Sequence, residues 1–377
     1  MLRYKMRGTT ALICLAALAT PAAAQEDSLG TLFLTFGKRD IQTGTGTAST
    51  VVDRSEIEDR QANTVAQLID SVPGVTLVNG TTPQGSGINI RGFGANTTFG
   101  TDKKIAILID DATVGSEEIY RIGTQLFTDP FLYRRVEVLR GTIGSFEYGS
   151  GIVGGVVKME TKDASDFTKG VTGFKVGQTI QGSSNGSGVV SSSTLAWQPS
   201  ERAEFLANYT YRTQKDLKDG SDAVIGNSAF TTPSGLIKAK LTFGDADEHN
   251  ATFSYTRTLA DDKDVPYDTF NTTGGAFGNV DRVTDTSQAA FQYRYNPSDL
   301  NTVDLSATLS YADQKIDYSY VPGSSFLEGT PSFGFLQNTV NANQRYQTTK
   351  LTLKNVAKFE TGALSHELRA GVELIRK

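Results

Sequence analysis

Cysteine is almost missing from this sequence. The single one, Cys14, lies in an apolar leader, so the rest of the chain can build neither a disulfide nor a thiolate metal site. Long apolar runs are missing too. After residue 24 no stretch approaches the roughly 20 apolar residues of a spanning helix, so if this chain enters a membrane it does so as a barrel. A basic surplus is absent: the net charge is −5, which argues against a nucleic-acid partner. Histidine is scarce, with only 2 residues, His249 and His366. No Ser/His/Asp set, metal-ligand cluster or phosphate loop emerges, so neither enzyme chemistry nor a resident cofactor is expected. Glycine and tyrosine are plentiful, at 38 and 14 residues, and the mean hydropathy is −0.27. That mixture suits a chain of many strands and turns.

Residues 1–24 stand apart. Arg3, Lys5 and Arg7 precede the short apolar run Thr10 to Ala19, and Ala22-Ala23-Ala24 offers a small-residue cleavage site before Gln25. This is the pattern of a secretory signal peptide, too short to span a membrane. Nothing before Cys14 makes it a lipid-anchor site.

The second half, residues 164–377, alternates with period two. Phe205, Ala207, Tyr209 and Tyr211 share one parity against Leu206, Asn208 and Thr210. The same pattern recurs at Ile237 to Phe243, Ala251 to Tyr255, Phe291 to Tyr295, Val303 to Tyr311, Leu351 to Phe359 and Leu368 to Leu374. A soluble sandwich alternates as well, so connection lengths decide. Short turns are predicted near residues 199–201, 244–248, 296–299 and 361–364, and long polar loops over 213–234, 259–286 and 321–344. Short turns at one end and long loops at the other suit an outer-membrane barrel. About nine strands are expected. An odd, unclosed set and the ending Ile375-Arg376-Lys377 suggest the N-terminal part of a longer barrel. The two histidines each follow a short turn, which places them far from the outer loops and makes them structural.

Residues 41–163 do not alternate this way. Arg54 to Arg60 is helix-prone, and Asn63 is expected to cap a short helix through Val65, Leu68 and Ile69 before Pro73-Gly74 stops it. Short strands are expected at Val75 to Val78, Ile88 to Ile90, Ile105 to Ile109 and Val136 to Leu139, giving a small mixed α/β domain. Between leader and domain, residues 25–40 form a tether with one apolar patch, Thr31, Leu32, Phe33, Leu34, Thr35 and Phe36. Gly149-Ser150-Gly151-Ile152-Val153-Gly154 spells the dinucleotide fingerprint. The extended Val156-Val157 follows it instead of a helix, so close backbone packing is the better explanation.

The motifs taken in order resemble the TonB-dependent outer-membrane receptor family. Leu68 to Val75, Ile88-Asn89-Ile90-Arg91-Gly92-Phe93, Ile107 to Asp111 and Val136-Glu137-Val138-Leu139-Arg140-Gly141 are similar to its plug motifs. Tyr148 to Val157 resembles the plug's last segment, and Ser365 to Glu373 resembles a mid-barrel strand. Thr142, Asp111, Ile152 and Val153 depart from the usual residues. The resemblance implies a transmembrane antiparallel β-barrel of roughly 22 strands, its lumen filled by an N-terminal α/β plug.

It also implies that Thr31 to Phe36 is a TonB box, which adds a strand to a periplasmic energy-coupling protein. Arg91 and Arg140 would dock the plug against barrel carboxylates, with Glu373 as a partner. The cargo would be an extracellular iron complex, free or brought by a haem-carrying protein. The run Gly154 to Asp166 resembles the haem/haemoglobin receptor branch more than others, with a ferric siderophore as the alternative. A monomer is expected. A passive porin is disfavoured by the plug, and a purely adhesive surface protein by the box.

Overall fold

The computed structural model describes residues 48–78, 82–83, 87–94, 104–113, 128–142, 148, 152–267 and 275–377. The expected signal peptide at 1–24, the tether at 25–40 and the box at Thr31 to Phe36 lie outside them. Among the described residues no helix is long and apolar enough to cross a membrane.

The first domain starts with strand β1 (Ala48–Asp53), which runs directly into helix α1 (Arg54–Arg60). Asp53 caps that helix, its carboxylate accepting from the Glu56 N–H at 3.0 Å. Arg54–Glu58 and Arg60–Glu56 pair one turn apart, and the buried Ile57 points into the core. Helix α2 (Val65–Leu68) is capped one residue later than the sequence suggested. Thr64, not Asn63, accepts from the Gln67 N–H, while the Gln67 side chain reaches back to the Asn63 N–H at 3.0 Å. Asn63 thereby keeps its side chain for another role, described below.

Strands β2 (Val75–Val78), β3 (Gly87–Ile90) and β4 (Phe93–Gly94) make one small antiparallel sheet. Strands β5 (Ile105–Ile109), β6 (Ala112–Thr113), β7 (Tyr133–Arg140) and β8 (Gly155–Thr161) join β1 in a second, in the order β1-β7-β8-β5-β6. Only β5 and β8 in it are parallel. The core of this domain centres on Val52, Ile57, Leu68, Ile69, Ile90, Val136 and Met159. Ala196, Leu206 and Leu236 of the second domain complete it, each no more than 3% exposed. The two domains therefore share one apolar core.

A short helix, α3 (Ser165–Thr168), leads into a nine-stranded antiparallel meander. Its strands are β9 (Gly173–Ser183), β10 (Gly188–Ser200), β11 (Ala203–Gln214), β14 (Phe230–Phe243), β15 (His249–Pro266), β16 (Asn279–Tyr295), β17 (Leu305–Tyr320), β18 (Ala342–Thr361) and β19 (Leu364–Arg376). A small hairpin, β12 (Leu217–Lys218) with β13 (Val224–Ile225), sits in the loop after β11.

The register aligns one outward row across all nine strands: Phe174, Trp197, Phe205, Ala239, Phe253, Phe291, Leu309, Leu351 and Leu374. Every member is apolar, and Phe253, Phe291 and Leu309 are 43–50% exposed. A water-soluble protein rarely presents such a band, whereas a lipid-facing barrel requires it. The inward parity carries Ser, Thr, Asn, Gln and basic residues, buried where the first domain covers them.

Two expectations about loops need correction. The polar stretch 259–286 is largely strand, since β15 continues to Pro266 and β16 begins at Asn279. Polarity there marks strand that continues past the apolar band: outward Arg257 pairs with Asp285 at 2.6 Å, and Arg345 with Asp313 at 2.6 Å. The alternation of short turns with long loops also fails at the first hairpin, where residues 184–187 alone link β9 to β10 at the long-loop end. Residues 321–341 do form a long connection, closed by helix α4 (Phe333–Val340).

Candidate functional site: the seam between plug and wall

Three basic residues project inward from the wall onto the first domain. Arg212 on β11 is 2% exposed and forks onto Asp129, with contacts of 2.9 and 3.3 Å. Its third nitrogen donates to Asn63 Oδ1 at 2.7 Å, which is the role freed by the shifted helix cap. Asp129 is itself fixed by local sequence. It precedes Pro130, caps the tight turn Pro130–Leu132 and accepts from the Phe131 N–H at 2.9 Å. A planar guanidinium against a held carboxylate is a site where lysine would not substitute.

Lys238 on β14 is 2.7 Å from Asp163 and donates to the Thr161 carbonyl at 3.2 Å, with Asp110 at 3.8 Å. Asp110 is anchored by the Thr161 N–H and hydroxyl at 3.0 and 2.7 Å. Burial by itself lifts the Asp163 carboxyl, but Lys238 and Arg134 beside it outweigh that, and its pKa lies below the ordinary carboxylate range. Arg282 on β16 pairs with Asp262 of the wall at 2.8 Å and donates to Thr82 of the first domain at 2.9 Å.

Wall amides complete the seam. Gln288 donates to the carbonyls of Ile109 and Thr113 at 3.3 and 3.2 Å, and Gln292 to the Asp110 carbonyl at 2.9 Å. These bonds satisfy backbone oxygens at the β5–β6 hairpin that would otherwise be buried unmet. Ser165 donates its N–H to Glu204 of the wall at 2.9 Å, pinning the start of α3. Apolar contact, buried ion pairs and backbone bonds thus act together to hold the first domain against the wall.

Arg140, Arg91 and Glu373, expected to dock the two domains, make the following contacts among the described residues. Arg140 is buried within its own domain, donating to the Ala48 carbonyl (3.2 Å), the Pro73 carbonyl (2.8 Å) and the Thr50 hydroxyl (3.0 Å). Arg91 is exposed, at a positive φ of 53°, and its N–H donates to the Gly74 carbonyl at 2.9 Å. Glu373 pairs with Lys350 at 2.6 Å on the neighbouring wall strand. The docking found here runs the other way, from wall cations to carboxylates of the first domain. Arg212, Lys238, Asp129 and Asp163 were missed. For Arg212 and Lys238 the one sequence signal was a full charge at the inward parity of a wall strand, and the two aspartates carried none.

Both histidines lie at the short-turn end. His249 stacks on Phe243 and Tyr295, with ring centroids 4.9 and 4.7 Å away, and its Nδ1 meets the Tyr293 hydroxyl at 2.7 Å. His366 stacks on Phe359 at 5.0 Å. They belong to an aromatic girdle on the outer face. Of the glycines in the fingerprint run only Gly154 is among the described residues, and it is closely packed: a Cβ there would lie 2.6 Å from the Phe93 Cβ, and strand β8, not a helix, begins at the next residue. Among the described residues no group of His, Cys, Asp and Glu could hold a metal ion.

Residues 42–156 match the TonB-dependent receptor plug domain. Residues 42–156 thus carry this plug domain, and the nine-stranded antiparallel wall follows it in the chain. It is 32% identical over 207 residues to the TonB-dependent heme receptor A of Haemophilus influenzae, covering 54% of this chain and 26% of that protein. It is 25% identical over 332 residues to the hemin receptor of Yersinia enterocolitica, covering 87% of this chain and 44% of that one. The Serratia marcescens hemophore receptor HasR, solved as a double mutant with its hemophore HasA and heme, shares the fold with a TM-score of 0.67 at 19% identity. That likeness covers 88% of this chain and 45% of HasR. Siderophore receptors are among the solved structures with the same fold. The chain thus spans less than half the length of these relatives.

Proposed function

We propose that this chain is the plug-bearing part of an outer-membrane receptor that imports an iron complex into the periplasm, with haem as its cargo. The observation that carries the reading is the seam. A lumen stoppered by buried ion pairs and a shared apolar core does not conduct passively, so cargo passes only when the plug is rearranged. Force for that would come from a TonB-type protein that pairs with Thr31 to Phe36 and pulls the tether leading into β1. Haem is favoured because heme or hemin appears in the names of relatives matched over 207 and 332 residues. By the same analogy a haem-carrying protein outside the cell is a partner. The ferric-siderophore reading draws on the siderophore receptors of like fold.

The test is growth of iron-starved cells that depend on the full-length receptor, supplied with haem or with a ferric siderophore, with and without residues 31–36. Growth on haem that disappears with the box while surface binding persists supports the proposal. Growth on the siderophore alone would replace the cargo, and uptake that survives loss of the box would overturn the coupling.

A further inference from the structure

A cavity of about 380 Å³, within the size range of ligand sites, separates plug from wall at the short-turn end of the lumen. Its wall side presents four cations, Lys240, Arg294, Lys350 and Lys354, and one carboxylate, Glu373. The plug contributes Asp111 and Tyr148. The Lys354 ammonium lies 4.7 Å over the Tyr148 ring, and Lys158 of the plug faces the same ring at 5.1 Å. Lys240 and Arg294 are steadied by Glu204 (3.4 Å) and Asp304 (2.7 Å), neither of which lines the cavity.

The plug therefore supplies anionic or π-electron partners to wall cations at several heights: Asp129 to Arg212, Asp163 to Lys238, Tyr148 to Lys354. Displacing the plug removes all of these at once. Of the lining residues, the wall then presents four cations and the one carboxylate Glu373, with Glu204 and Asp304 behind them still paired to Lys240 and Arg294. A low-dielectric wall lined by one sign of charge concentrates the opposite charge.

We infer that the inward basic residues of the wall form an anion track, occupied at rest by groups of the plug and, once the plug moves, by carboxylates of the cargo. The cavity at Lys350 and Lys354 is its exit end. The inference rests on the proposed import of haem, whose two propionates are such carboxylates. It commits to cargo that enters the lumen as an anion, and it makes plug carboxylates and cargo carboxylates successive partners of one set of cations.

Two measurements on the full-length receptor test it. In cells, uptake of haem is compared with uptake of its dimethyl ester in the wild type, Lys350→Gln, Lys354→Gln and Lys354→Arg. Each glutamine variant is expected to lower uptake of the free acid about tenfold, the scale of one charge-assisted contact, to the level of the ester, and Lys354→Arg is expected to restore it. Equal losses for acid and ester, or no loss, would overturn the track. In purified receptor carrying Asp129→Asn, whose plug docks more weakly, acylation of Lys354 is followed by mass spectrometry with a dicarboxylic porphyrin or its diester added. Protection by the acid alone supports the inference, while equal protection or none overturns it. This second arm needs no haem import, so failure of the cargo assignment and failure of the track are told apart.

Discussion

Arg212 of the wall and Asp129 of the plug, 83 residues apart in sequence, form a buried ion pair 2.9 Å across, their side chains 2% and 3% exposed. The pair is costly to break from one side, because the remaining charge stays buried without its partner. Arg212→Ala or Asp129→Asn is therefore expected to weaken plug docking by about 3–5 kcal/mol. Replacing both with leucine should recover most of that loss. Current through single receptors in a planar bilayer measures it: the single variants leak and the double variant does not.

The Asp163–Lys238 contact sets an acid limit. Asp163 titrates below its unfolded value, so its contribution is complete above the ordinary carboxylate range near pH 3.9 and is lost as pH falls through the lower folded value. Docking is thus expected to be insensitive to pH between 5 and 7, to the extent that Asp163 controls it. Asp163→Asn should remove the acid-dependent part. Protease protection of the plug across a pH series reads both.

Lys162 behaves in the opposite sense. It is 5% exposed, with its ammonium 5.7 Å from the Phe131 ring and 6.0 Å from the Phe167 ring. Burial, reinforced by Arg54, pushes its pKa down to about 8 from 10.5. The folded plug holds fewer protons than the unfolded chain between those values, so stability rises with pH across that window. Lys162→Met is expected to raise the unfolding temperature at pH 7 and to flatten the alkaline rise, as read by thermal denaturation.

Gly155 has no room for a side chain. At a φ of 154°, an added Cβ would meet the Leu139 carbonyl oxygen at 2.2 Å, on the strand paired with β8. Gly155→Ala is expected to cost about 1–3 kcal/mol through backbone strain. Limited proteolysis should then cut between β7 and β8 while the wall remains intact.

Much of the architecture was legible because it follows from local rules. Alternation at Phe253, Phe291 and Leu309 predicts both strand and outward face, and Pro73-Gly74 ends a helix wherever it occurs. The extension of β15 to Pro266 was not legible, since outside lipid a polar strand and a polar loop look alike in sequence. The seam was hidden for a different reason. Asp129 and Arg212 meet through the way the plug sits in the lumen, and nothing near either residue specifies the other. Arg140 illustrates the converse: a motif position marks a residue as important without saying which atoms it touches.

On β15 the odd positions 251, 253 and 255 share the outward face of Phe291 and Leu309, which is expected to meet lipid, and the even positions face the other way. Cys14 is the one cysteine of the sequence, so single cysteines introduced along residues 251–256 of a Cys14→Ser receptor report without background. In intact outer membranes, a lipid-soluble maleimide is expected to label positions 251, 253 and 255, and positions 252, 254 and 256 are expected to resist it. Uniform labelling of all six positions by a water-soluble reagent would mean that β15 does not cross a bilayer.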